Sequence, residues 1–232
     1  MPDNSGMSRG KEIPFKDATK RYYELPRWVM EALKRVTSEP RVSDALDALD
    51  RAAWMLNAGR FGDALHEARR AKEYSPRDPT IREVIGISAY RLGEWKEALG
   101  ELRTFRRLAG DNTHLPVEID VLRALGRNDA IERAWIELIS SDVDHATRLE
   151  GIVVYGSYLL DRGRVDEARA VATPTKLLAQ PESEDLRQLY VAARAAAGAG
   201  DLLAAKKFYD SIVYADPSFP GLDALTEEID SR

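Results

Sequence analysis

Five glycines, Gly59, Gly93, Gly126, Gly163 and Gly200, recur at intervals of 34, 33, 37 and 37 residues. Each closes one amphipathic stretch and opens another, in the segments AGRFGDALHEA, LGEWKEALGEL, LGRNDAIERAW, RGRVDEARAVA and AGDLLAAKKFY. A glycine at the end of a helical run stops the helix, because it takes the left-handed conformation without a Cβ clash. Two residues later stand Phe61, Trp95, Asn128, Val165 and Leu202, and three beyond those Ala64, Ala98, Ile131, Ala168 and Ala205. Small residues at the latter positions let the two helices of a hairpin approach closely. Four further on, Ala68, Leu102, Trp135, Ala172 and Tyr209 fall on the same helical face. A period of this length, built as helix, glycine turn and helix, specifies stacked helical hairpins. A compact globule with one centre is not what it describes.

The same residues carry a resemblance. The chain is similar to tetratricopeptide repeat (TPR) proteins over roughly residues 43 to 217. Repeat two matches best, with Ile85-Gly86 before the turn and then Gly93, Trp95, Ala98, Leu102 and Phe105. Repeats one and five end in Pro76 and Pro217, repeat four keeps Tyr155-Gly156, and repeat three has Asn128 where an aromatic is usual. The run EVIGISAYRLGEWKEALGELRTFRRLAG resembles a group of actinobacterial TPR proteins. The implied fold is all-α: a right-handed superhelical solenoid of about five hairpins with capping helices at both ends. The repeats are expected at 43–76, 79–110, 112–143, 146–180 and 184–217. Their helix pairs are expected at 43–57 with 61–74, 79–91 with 95–109, 114–124 with 128–140, 146–161 with 165–178, and 184–198 with 202–214. Cap helices are expected at 26–37, with Trp28, Val29, Ala32, Leu33 and Val36 on one stripe, and at 221–231. Residues 1–25 read as a disordered or loosely ordered leader. Alternatively, its Phe15, Tyr22 and Tyr23 fold back into the groove and suppress partner binding.

Chemistry-bearing constellations are sparse. Cysteine is absent, which removes disulfides and thiolate chemistry. His66, His114 and His145 lie in different repeats without metal-ligand spacing. No glycine pattern forms a phosphate cradle, and Ser140-Ser141 lacks a nucleophile-elbow context. The expectation is therefore a protein that is not an enzyme, with no catalytic residue, metal or cofactor. The N-terminal residues lack the apolar core of a signal peptide, and no uninterrupted apolar run suits a bilayer. A soluble, cytoplasmic protein without membrane association is expected.

Function then rests on surfaces. The resemblance implies a concave groove lined by the first helix of each pair. Its phase gives Glu83, Ile87, Tyr90 and Arg91 from repeat two, and Asp120 and Arg123 from repeat three. Repeat four gives Ser157 and Asp161, and repeat five Arg187, Tyr190 and Arg194. The carboxylate clamp known in such grooves needs asparagines where this chain has Ala53 and Ile87, so chaperone-tail binding is not expected. The reading is a non-catalytic adaptor holding a protein segment. The alternative starts from charge. Net charge is -5, but residues 1–110 carry 21 basic against 17 acidic side chains and residues 111–232 carry 13 against 22. A basic strip of Arg69, Arg70 and Lys72 with Lys96, Arg103, Arg106 and Arg107 suits RNA or a ribosome.

Overall fold

The structure, a computed structural model, describes residues 25–231. The expected leader with Phe15, Tyr22 and Tyr23 lies outside the described residues. Among the described residues there are twelve helices and no strand. They are α1 (Arg27–Val36), α2 (Glu39–Asn57), α3 (Phe61–Tyr74), α4 (Pro79–Arg91), α5 (Trp95–Ala109), α6 (Leu115–Ala124), α7 (Asn128–Ser140), α8 (His145–Asp161), α9 (Val165–Ala172), α10 (Ser183–Gly198), α11 (Leu202–Ala215) and α12 (Leu222–Asp230).

The periodic glycines do in the structure what local sterics require. All five have positive φ, between 67° and 79°. Each heads the same pair of capping bonds: the amide after the glycine donates to the carbonyl five residues back, as Arg60 to Met55 at 2.8 Å and Glu94 to Ala89 at 2.9 Å. Arg127 to Leu122, Arg164 to Leu159 and Asp201 to Ala196 repeat it at 2.9 Å each. This is the Schellman arrangement, which satisfies otherwise orphaned carbonyls. Five copies of one turn fix five similar hairpins. At the far ends of the hairpins, Asp78 and Asp144 cap α4 and α8 by accepting the amides of Ile81 at 2.9 Å and Thr147 at 2.7 Å.

Packing follows from the small positions. Ala64, Ala98, Ile131, Ala168 and Ala205 are all fully buried where the second helix of each hairpin meets the first. The first helices lie side by side, α6 against α8, α8 against α10, and α10 against α12, and each second helix contacts the first helix of the next pair. The result is a two-layered helical solenoid. Its buried side chains form one cluster over the first four repeats and another around α10 to α12, with Leu189, Phe208, Ile212 and Leu225. Leu225 is fully buried, so α12 covers the last repeat.

Three local expectations are corrected. The first repeat helix begins at Glu39 rather than near residue 43, because Pro40 sits in its first turn, where the missing amide costs nothing. The second helix of repeat four stops at Ala172, not 178. Thr173 precedes Pro174 and is extended, with φ -65° and ψ 117°, as a residue before proline prefers. On α1 the buried stripe is Val29 and Leu33 alone, while Trp28 and, at the helix end, Val36 are exposed. Trp28 lies about 100° around the helix from Val29, too far to share a narrow contact with α2.

Candidate functional site

The residues phased to the first-helix face form a linked polar row. Tyr90 on α4 stacks its ring at a tilt on Trp95, with centroids 5.9 Å apart, and its hydroxyl donates to Asp120 Oδ2 on α6 at 2.8 Å. Burial, then the bond to Asp120, pushes the Tyr90 phenol up to about 12, so it stays a donor at neutral pH. Asp120 Oδ1 in turn accepts from Arg123 Nη1 at 3.2 Å. Arg123 reaches Asp161 on α8, Nη2 to Oδ2 at 2.7 Å. Further on, Arg194 of α10 donates to Glu228 of α12 at 2.9 Å. Burial opposes the Arg194 charge, but the Glu228 bond, with the nearby Asp161 charge, holds its pKa above the usual value. Arg123 and Asp161 remain 40% and 49% exposed, so the row is held in place yet open to solvent.

The other groove residues do not join this row. Glu83 turns to His114, Oε1 to Nε2 at 2.7 Å. Arg91 lies over the Phe61 ring, 4.9 Å from its centroid. Ser157 bonds to Val153 of its own helix at 2.7 Å, and Arg187 reaches Glu184 one turn back at 3.4 Å. Ile87 is half-buried. Tyr190 packs against Phe219, centroids 5.8 Å apart. Gly221 opens α12 with φ +89°, and a Cβ there would stand 2.9 Å from the Tyr190 hydroxyl. Glu228 was not legible as a partner for Arg194, because nothing in their 34-residue separation specifies contact.

The basic strip is largely an ion-pair ladder between helices. Arg69 binds Glu94 at 2.8 Å and also Glu97, Arg70 binds Glu67 at 2.9 Å, and Lys72 binds Glu101 at 2.6 Å. Arg82 joins Glu101 at 2.7 Å. Arg103 and Arg106 converge on Glu118 of α6 at 3.4 and 3.0 Å, and Arg106 also meets Glu137. Lys96 and Arg107 are exposed and outside these pairs. Spacing alone showed the cations on one face, whereas their carboxylates come mostly from neighbouring helices.

The ladder's buried carboxylates titrate in opposite directions. Burial pushes the Glu67 carboxyl up, but hydrogen bonds and charge from Arg51 and Arg70 outweigh it and bring it below 4.5. At Glu118 burial wins over Arg106 and Arg103, and the carboxyl lies above 4.5. Stability from Glu67 is present above 4.5 and lost as pH falls through its folded value. Glu118 binds its proton more tightly in the folded chain, so it favours folding at low pH and withdraws that support as pH rises through the window above 4.5. Urea midpoints measured between roughly pH 3 and 7 should show this directly. Glu67→Gln flattens the acid-side decline, and Glu118→Gln removes the loss seen on raising pH just past 4.5.

Among the described residues no cluster of three His, Asp or Glu side chains could hold a metal, and no helix is long and apolar enough to cross a membrane. No family model matches the chain, and no curated protein matches it. The fold is similar to a crystal structure of YrrB, described as "a TPR protein with an unusual peptide-binding site". The two share 14% identity at a TM-score of 0.55, over 86% of this chain and 97% of that one. At that identity the likeness is one of fold.

Proposed function

We propose that the protein is a non-catalytic adaptor that holds a segment of a partner protein along the first-helix face. The observation carrying this reading is the row Tyr90–Asp120–Arg123–Asp161, which crosses three successive repeats with its donors and acceptors preset and partly exposed. A bound segment exchanging hydrogen bonds with such a row loses little entropy on the protein side. The similarity of fold to a peptide-binding TPR protein supports the same class of ligand. The RNA reading is weakened by the ladder, since five of its seven cations already face carboxylates, leaving little free charge for phosphates.

The test separates binding from folding. Arg123→Glu should abolish recovery of crosslinked partners from cell extract, as scored by mass spectrometry, with crosslinks in the wild type falling on α4, α6 and α8. Adding Asp161→Arg re-forms the pair with reversed charge, so thermal stability returns while partner recovery does not. Retention of every partner by Arg123→Glu would sink the proposal.

A further inference from the structure

A second surface lies away from that row, where α9 ends early. The other complete second helices, α3, α5, α7 and α11, run 13 to 15 residues, but α9 has only 8. The chain after Pro174 instead runs irregularly to α10, tucking Leu177 against the core of the last repeat. Between this loop and the outer side of α11 is a cleft of about 870 Å³. Its apolar walls are Leu177 and Leu178 on the loop and Leu203 and Tyr214 on α11. Leu203 and Tyr214 are each 85% exposed, an unusual state for large apolar side chains that sit together on one cleft.

The α11 residues of the cleft form one helical stripe. Leu203, Lys206, Lys207, Asp210 and Tyr214 follow i, i+3, i+4, i+7 and i+11. The opposite face, Ala205, Phe208 and Ile212, is buried in the core. The stripe thus has apolar ends about 16 Å apart and a basic middle. Neither lysine has an ionic partner among the described residues, in contrast to the arginines of the ladder. They stand against one carboxylate of the cleft, Asp210, in the half of the chain that carries 22 acidic and 13 basic residues.

We infer that this cleft docks a short amphipathic helix of a partner protein, apolar on the face turned to Leu203 and Tyr214 and acidic where it passes Lys206 and Lys207. The helical form follows from the place: the occupant lies beside α11 where a full-length α9 would have continued the layer of second helices. Docking a helix face into such a groove is a common recognition mode. The acidic character follows from the unpaired lysines. The inference stands independently of the first-helix row.

The probe is a random 16-residue peptide library displayed on phage and panned against the full chain, with enriched peptides synthesised for fluorescence anisotropy. Enriched sequences should carry apolar residues at i, i+3 or i+4, and i+7 with Asp or Glu between them, and should gain helical circular dichroism on binding. Leu203→Glu with Tyr214→Ser should weaken them at least tenfold, and Lys206→Glu with Lys207→Glu should do so and remove the salt dependence. Both pairs are surface changes, so melting temperature serves as the folding control. Arg123→Glu should leave these affinities within twofold, which separates failure here from failure of the adaptor reading. Basic or patternless enriched peptides, or acidic ones indifferent to the cleft variants, would overturn the inference, and so would a library yielding no binder.

Discussion

Replacing Arg103 and Arg106 together by alanine should cost about 3–5 kcal/mol of stability, the range for stripping a buried charge of its partners. Glu118 is 1% exposed, and the two guanidinium groups are its ionic partners among the described residues. A carboxylate cannot stay ionised in that setting without them, so the variant either unfolds more readily or takes up a proton. The deficit should therefore shrink as pH is lowered, opposite to ordinary acid denaturation. Adding Glu118→Leu to the double variant should recover most of the loss, because an apolar side chain of similar size needs no partner there. Urea denaturation of the wild type, the double and the triple variant at two pH values measures all three effects. A triple variant no more stable than the double would mean that the arginines act through their packing or through Glu137, not through Glu118.

How much of this was readable beforehand differs by physical cause. The five turns were readable because positive φ is a local demand that glycine answers, whatever surrounds it. The fully buried Ala64, Ala98, Ile131, Ala168 and Ala205 followed from a fixed offset to those turns. Pro174 is visible in the sequence as an interruption, yet the helix ends six residues before 178, since a proline also constrains the residue before it. The polar row was partly readable: phase puts Tyr90, Asp120, Arg123 and Asp161 on the equivalent face of three successive first helices, but does not give the bonds among them. Glu118 was unreadable. A glutamate in an amphipathic helix normally faces water, and only the crossing of α5 over α6 brings two arginines to it. Likewise, the placement of α3 beside α5 and of α5 beside α6 gives most cations of the basic strip their carboxylate partners. Local chemistry was legible, and pairings between helices were not.

Gly86 marks the closest approach of two helices in repeat two, and filling it should be among the costliest changes on the first-helix layer. A Cβ at Gly86 would lie 2.6 Å from Leu102 Cδ2 and 3.3 Å from the Leu102 backbone nitrogen. Both residues are buried, Leu102 completely, so neither helix can yield without disturbing its neighbours. Gly86→Val should lower stability by about 1–3 kcal/mol through overpacking. Leu102→Ala should lower it by about 2–5 kcal/mol through the cavity it leaves. The double variant should lose less than the two together, because the valine methyls occupy space the leucine vacates, with a coupling of about 0.5–3 kcal/mol. The rescue stays incomplete, since the approach to the backbone nitrogen remains. Gly100 supplies the control: it too lies within a helix, but a Cβ there meets nothing within 4 Å. Gly100→Ala should stabilise the protein by up to about 1 kcal/mol through helix propensity alone. Equal responses of Gly86→Ala and Gly100→Ala would show that the contact with Leu102 relaxes at little cost, and that the glycine before the turn is not set by close packing.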